Sequence, residues 1–396
     1  MLSLGLLVAI PIIAITGFLS NDIYYPSLGG NSIGRPLGPL DFYLLAFPTH
    51  PSWLYALTQG LHVTIGLAAF PILLAKLWSV IPKLFVWPPV RTPAQALERL
   101  SLALVVGGAL FEFATGILNI QYYYVFPFFF TTAHYYGAWV FTGAFLFHAG
   151  VKFGAMRRAL STRTAMSVLH ERLADTRPET SAVANELIPT APAAPTMSRR
   201  ALLGTVGAGS LFLLVQGAGQ ALGGPLRSIA LLAPRSLKEG GPNGFPVNRT
   251  AATAQITAKK IGPSWRLRLN AGSRVMALSR EQLLRMPQRT YDLPIACVEG
   301  WSTTQRWTGV RISDLAKLVG IDRPFRVQTS SIADNGLFDS ATLDAAQTSD
   351  ERALLAMKVN GTDLSLDHGY PARVIGPGIP GVHCTKWAAS MTFVTD

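Results

Sequence analysis

Ser198-Arg199-Arg200-Ala201-Leu202-Leu203 stands near the middle of the chain, and an apolar run rich in glycine and alanine follows it as far as Leu222. Its reading divides the protein in two. A serine, two arginines and an uncharged apolar stretch have the form of a twin-arginine export signal, an address read by a translocase that carries already folded domains. Paired basic residues also mark the cytoplasmic end of ordinary transmembrane helices. On the export reading, residues 198–222 are signal and membrane helix together, the twin-arginine translocase is a partner, and residues 223–396 are an extracytoplasmic cargo domain.

Working outward, composition supports a membrane anchor joined to a globular part. Of 396 residues, 49% are hydrophobic and 14% charged, too apolar for an ordinary soluble chain. Stretches with at most one charge fall near 2–20, 53–75, 101–123 and 135–151, each close to the ~20 residues that a helix needs to span a bilayer. With 201–222 they predict an all-α bundle of five spans. Residues 1–153 form its first four helices, and 154–197, with the Pro- and Ala-rich Ala191-Pro192-Ala193-Ala194-Pro195-Thr196, form a cytoplasmic linker.

Lys76, Lys83, Arg91 and Arg99 lie between the second and third spans and eight Lys/Arg lie from Lys152 to Arg200, whereas the loop 21–52 holds Arg35 alone. Positive charge stays inside. The N-terminus is therefore expected in the cytoplasm of a multi-pass cell-membrane protein, with lipid as a partner and the C-terminal domain outside.

From Asn248 the pattern changes to short strands and turns. Trp265-Arg266-Leu267-Arg268-Leu269 alternates, Ala271-Gly272-Ser273 turns, and Ser279 followed by Gln282 caps a helix. A mixed α+β domain is expected. Residues 223–396 carry 21 Lys/Arg against 14 Asp/Glu, a surplus suited to an anionic cofactor or to lipid headgroups; no nucleic-acid partner is expected. The chain has two cysteines, Cys297 and Cys384, which in an oxidising compartment could pair.

Two motifs carry the chemistry. The first is Pro294-Ile295-Ala296-Cys297-Val298-Glu299-Gly300-Trp301, followed by Arg306-Trp307-Thr308-Gly309-Val310; the second is Asp367-His368-Gly369-Tyr370-Pro371-Ala372-Arg373-Val374-Ile375-Gly376-Pro377-Gly378, then Gly381 and Lys386-Trp387. Together they resemble the molybdopterin-binding domain of the sulfite oxidase family over roughly 245–396. The resemblance implies that Cys297 ligates molybdenum and is the catalytic residue, and that Arg306, His368, Arg373, His383 and Lys386 lie among the cofactor-binding residues. A soft thiolate suits a sulfur-rich metal centre. Sulfite-oxidising members follow the metal cysteine with arginines, whereas Val298-Glu299-Gly300-Trp301-Ser302 stands here, so the local sequence is closer to the bacterial branch that includes the periplasmic methionine-sulfoxide reductase catalytic subunit.

In the membrane half, His134 and His148 are 14 residues apart, about 40° apart on a helix and ~21 Å along it. This spacing resembles a helix of b-type cytochrome subunits. Counted from the basic boundaries, His62 lies ~21 Å and His134 ~27 Å above the inner side, so a haem b between them is expected, with His148 a weaker iron ligand. Glu112, at a similar depth to His62, is a candidate proton acceptor at a quinone site. The expected function is a membrane-anchored molybdenum oxidoreductase that exchanges electrons with quinone and moves an oxygen atom to or from a small substrate, more as an S- or N-oxide reductase than as a sulfite oxidase. The alternative is a transmembrane b-type cytochrome electron carrier with a non-catalytic molybdopterin-fold module.

Overall fold

The computed structural model describes residues 1–22, 48–84, 90, 92–120, 125–128, 130–162, 170, 172–176, 193–233, 242–333 and 339–395. Arg35 and Arg91 and much of the expected linker lie outside the described residues. Among the described residues, five long helices are present: α1 (Leu2–Asp22), α2 (Leu54–Leu84), α3 (Pro93–Asn119), α4 (Phe130–Thr162) and α5 (Arg199–Leu222). Among the described residues, four segments are long and apolar enough to cross a membrane: Leu2–Asp22, Leu54–Val80, Pro93–Asn119 and Arg199–Leu222. Four of the five expected spans are among them. Helix α4 has the length, but His134, Tyr135, Tyr136, Trp139 and His148 dilute its apolar character. It also runs nine residues past the expected boundary at 153.

The chain forms two compact units. The first comprises 1–14, 64–119 and 133–215; the second comprises 15–63, 120–132 and 216–396. In the first, Leu6 and Ile10 of α1, Leu73 and Leu77 of α2, Ala109 of α3 and Phe141 of α4 form one apolar cluster.

The second unit holds two five-stranded sheets. One has the order β2 (Arg274–Leu278), β1 (Leu267–Ala271), β10 (Ala388–Val394), β5 (Arg326–Ser331), β6 (Ser340–Leu343). The other has the order β3 (Arg289–Ala296), β4 (Ser302–Arg311), β7 (Leu354–Val359), β8 (Thr362–Asp363), with β9 (Arg373–Ile375) also paired to β7. All pairings are antiparallel except β1 with β10. Short helices α6 (Arg280–Arg285), α7 (Ile312–Leu318) and α8 (Ala345–Ser349) connect them, which makes the domain α+β as expected. The capping box is present, with the Gln282 N–H donating to Ser279 and the Ser279 N–H to Gln282. A single core that includes Leu267, Leu269, Leu293, Trp307, Leu354 and Met391 fills the domain, and burial of such side chains, at roughly 1.5–3 kcal/mol each, is the main force that holds it.

Candidate molybdenum cofactor site

Strands β3 and β4 pair as far as Ala296↔Ser302, so residues 297–301 form the tip of a hairpin. The Cys297 N–H donates to the Trp301 carbonyl at 2.9 Å, and the Gly300 N–H donates to the Cys297 carbonyl at 3.0 Å. That closed turn holds Gly300 at φ +93°, where a side chain is strained. The turn is folded inward: Cys297 and Trp301 are each 3% exposed. Glu299 is buried too, and its Oε2 accepts the Trp301 indole N–H at 3.0 Å. Cys297 and Cys384 are not joined by a disulfide.

The second motif brings two cations to the same place. Arg373, on β9, is 1% exposed; its Nη1 donates to the His368 carbonyl (3.1 Å) and its Nη2 to the Cys384 carbonyl (3.0 Å). Its guanidinium stands 5.2 Å from the centre of the Trp307 ring. Lys386 donates to the carbonyls of Arg249 (2.6 Å) and Asp367 (2.8 Å). Burial, and then the positive charge of Arg373, pushes the Lys386 ammonium well below the usual lysine value. Burial likewise lowers Arg373. The approach of the two cations requires Gly369 at φ +108°, where a Cβ would stand 3.1 Å from the Cβ atoms of both Arg373 and Lys386.

His368 is stacked on Phe245, ring centres 3.6 Å apart. Its Nε2 lies 3.1 Å from the Pro246 carbonyl, and its Nδ1 lies 3.1 Å from the Ser365 hydroxyl and 3.2 Å from Asn243 Oδ1. The ring is a neutral strut: desolvation brings its pKa down to about 3. His383 is also buried, with its pKa lowered to about 3 by desolvation.

Cys297, Trp301, His368, Arg373, Gly381 and Lys386 line one cleft. Its donors fit an anionic, sulfur-bearing metal cofactor. The hydrogen-bond partners of buried Arg373 and half-buried Lys386 are backbone carbonyls, and burial of a cation without a counter-charge costs several kcal/mol. Arg373 Nε and the Thr385 hydroxyl, both buried, have no hydrogen-bond partner among the described residues. The thiol supplies the soft ligand that molybdenum prefers.

Arg306 is not among the residues that line this cleft. It faces outward on β4 and forms a bidentate pair with Asp292 across the ladder, at 3.0 and 3.3 Å, with the side chain 65% exposed. Its neighbour Trp307 points into the core, and alternation along a strand puts position 306 on the opposite face.

In the first unit, His134 Nδ1 lies 3.0 Å from Glu112 Oε2 and 3.1 Å from the Thr115 hydroxyl. His148 Nδ1 lies 3.5 Å from the Ser101 hydroxyl. His62, in the second unit, packs against the backbone of α1, where a Cβ on Gly17 would come within 2.7 Å of the imidazole. His50, given no role from sequence, accepts from Arg352 Nη2 at 2.8 Å.

Residues 253–396 match the family model of the oxidoreductase molybdopterin-binding domain, which defines the class of the C-terminal domain. It is 32% identical over 104 residues to the sulfite oxidase of Arabidopsis thaliana (23% of this chain, 26% of the relative). It is 28% identical over 153 residues to mitochondrial sulfite oxidase of Rattus norvegicus (32% and 28%). A third relative, the uncharacterized oxidoreductase YuiH of Bacillus subtilis, is 32% identical over 122 residues (31% and 60%). The chain thus spans 60% or less of the length of these relatives. The C-terminal domain is a molybdopterin oxidoreductase domain of the sulfite oxidase family.

Proposed function

We propose that the protein is a membrane-anchored molybdenum oxidoreductase that moves an oxygen atom to or from a small substrate, with reduction of an S- or N-oxide favoured over oxidation of sulfite. The observation that carries this reading is the buried meeting of one thiol, Cys297, with two cations, Arg373 and Lys386, whose hydrogen-bond partners are carbonyls. When bound, the molybdenum cofactor supplies two-electron oxygen-atom exchange. Cys297 would hold the metal, Arg373 and Lys386 the anionic part of the cofactor, and His368, neutral and fixed by Ser365 and Pro246, would keep the Arg373 carbonyl partner in place. The absence of arginine at 298–302 and the presence of buried Glu299 disfavour a sulfite dianion next to Cys297.

Electrons would be exchanged with membrane quinone. In a carboxylate–histidine pair the proton sits on the nitrogen that faces the acid, and the other nitrogen is left to ligate a metal. Glu112 and His134 have that geometry, which supports His134 as an axial ligand of a b-type haem, with His62 a second candidate, and Glu112 as a proton-handling group. On the proposed topology the domain reaches the outer side by the twin-arginine route.

Elemental analysis of the purified protein is the test: about one molybdenum per chain is expected, and iron if haem is bound. Cys297→Ser replaces a soft ligand with a hard one and is expected to reduce turnover by several orders of magnitude while the domain stays folded. A molybdenum-free protein, or a fully active Ser variant, would leave the cytochrome-carrier alternative.

A further inference from the structure

The hairpin loop that carries Cys297 presents two carbonyls, those of Val298 and Glu299, to side-chain donors from outside the loop. Both are met from membrane helices in the same compact unit. The Gln59 side-chain amide donates to the Val298 carbonyl at 2.7 Å, and that of Gln220 donates to the Glu299 carbonyl at 3.0 Å. Each glutamine is 6% exposed and lies in an otherwise apolar helix, where an amide is costly unless bonded.

The contact is periodic. Tyr55 packs with Ala296, Gln59 bonds Val298, and the methyl-bearing Cβ of Val63 lies 2.8 Å from where a Cβ on Gly300 would stand. Positions 55, 59 and 63 are four residues apart and share one face of α2, and they meet alternate positions 296, 298 and 300. From α5, the Ala221 carbonyl accepts the Ser302 hydroxyl at 2.6 Å, and the Cβ of Ala221 would stand 3.1 Å from a Cβ on Gly60. The two helices therefore touch each other where they hold the loop.

We propose that Gln59 and Gln220 are positioning residues for the metal-ligating loop: the ends of α2 and α5 form its seat and set the placement of the Cys297 thiolate. This rests on the molybdenum reading of Cys297. On it, the membrane helices are part of the ligand shell's support rather than a tether, and a change on the Tyr55–Gln59–Val63 face alters the metal centre.

The test uses the full-length protein with Gln59→Met and Gln220→Met, which keep the length of the side chain and remove the donor. Gln216→Met is the control. Gln216 is equally buried in α5, but bonds the Ile229 carbonyl and the Leu232 N–H instead of the loop. Two readouts are taken: the Mo(V) electron paramagnetic resonance spectrum of loaded protein, and the rate of Cys297 alkylation by iodoacetamide in cofactor-depleted protein, followed by peptide mass spectrometry.

Expected are altered g-values in both loop variants, and alkylation about tenfold faster, as loss of one buried hydrogen bond to the loop implies. The control should match wild type. Loss of molybdenum from the two loop variants alone also supports the proposal. Wild-type spectra and rates in both, or the same change in all three variants, overturns it. A wild-type protein without molybdenum would instead defeat the functional reading, and the alkylation rates would still report on the seat.

Discussion

Cys297, Arg373, His368 and Lys386 were legible in the sequence because each lies in a short motif whose members stay close in the fold, and the structure brings all four to one cleft. Arg306 lies near the first motif in sequence, but the pleat turns it to solvent against Asp292. Arg306→Ala is therefore expected to leave molybdenum content and turnover within a factor of two of wild type, as measured on the purified protein; a tenfold loss would restore it to the site. The buried histidines carry a pH dependence with a definite sign. His368 and His383 titrate near 3 in the folded protein against an ordinary value of 6.5. Between those values the unfolded chain takes up protons that the folded one does not, so stability is present above about pH 6.5 and is lost as pH falls towards 3, with a slope of up to ~1.4 kcal/mol per pH unit for each histidine. The urea midpoint should drop between pH 7 and 5, and His383→Leu should lessen the drop. An equal drop in that variant would assign the acid sensitivity elsewhere.

At the scale of elements, strands and caps were readable from local pattern, and the β1–β2 turn and the capped α6 stand where alternation and the Ser279/Gln282 pair put them. The partners of the 297–301 hairpin were not. Gln59 is 239 residues away from Val298 and Gln220 is 79 away from Glu299, and no local periodicity joins positions so distant; a glutamine inside an apolar span was the one signal. The hairpin also yields a prediction about Gly300. An alanine there would take a φ of +93° and drive its methyl group towards Val63. Gly300→Ala should destabilise the domain by about 1–3 kcal/mol, seen as a lower thermal midpoint and reduced cofactor retention. Addition of Val63→Ala should recover part of the loss, since it relieves the collision and leaves the backbone strain. No recovery would mean that the helix face does not press on the turn.

For the whole molecule, helix α5 starts at Arg199, within the stretch 198–222 read as signal and membrane helix, and four of the five expected spans are long and apolar enough to cross a membrane among the described residues, α4 being long without being uniformly apolar. The export reading makes its own prediction. Arg199→Lys with Arg200→Lys keeps the charge, so a mere topology marker survives while a receptor-read signal fails. Protease added to intact cells should no longer reach residues 223–396 in the double variant; unchanged cleavage would make the arginines ordinary boundary residues. Finally, β10 is the central strand of its sheet, held between β1 and β5, yet it is the last strand in chain order. Until residues 388–394 leave the ribosome, β1 and β5 have no strand to join them. The sheet stays open until that strand is made, and any step that needs the finished domain, including its loading with an anionic cofactor, has to wait for it.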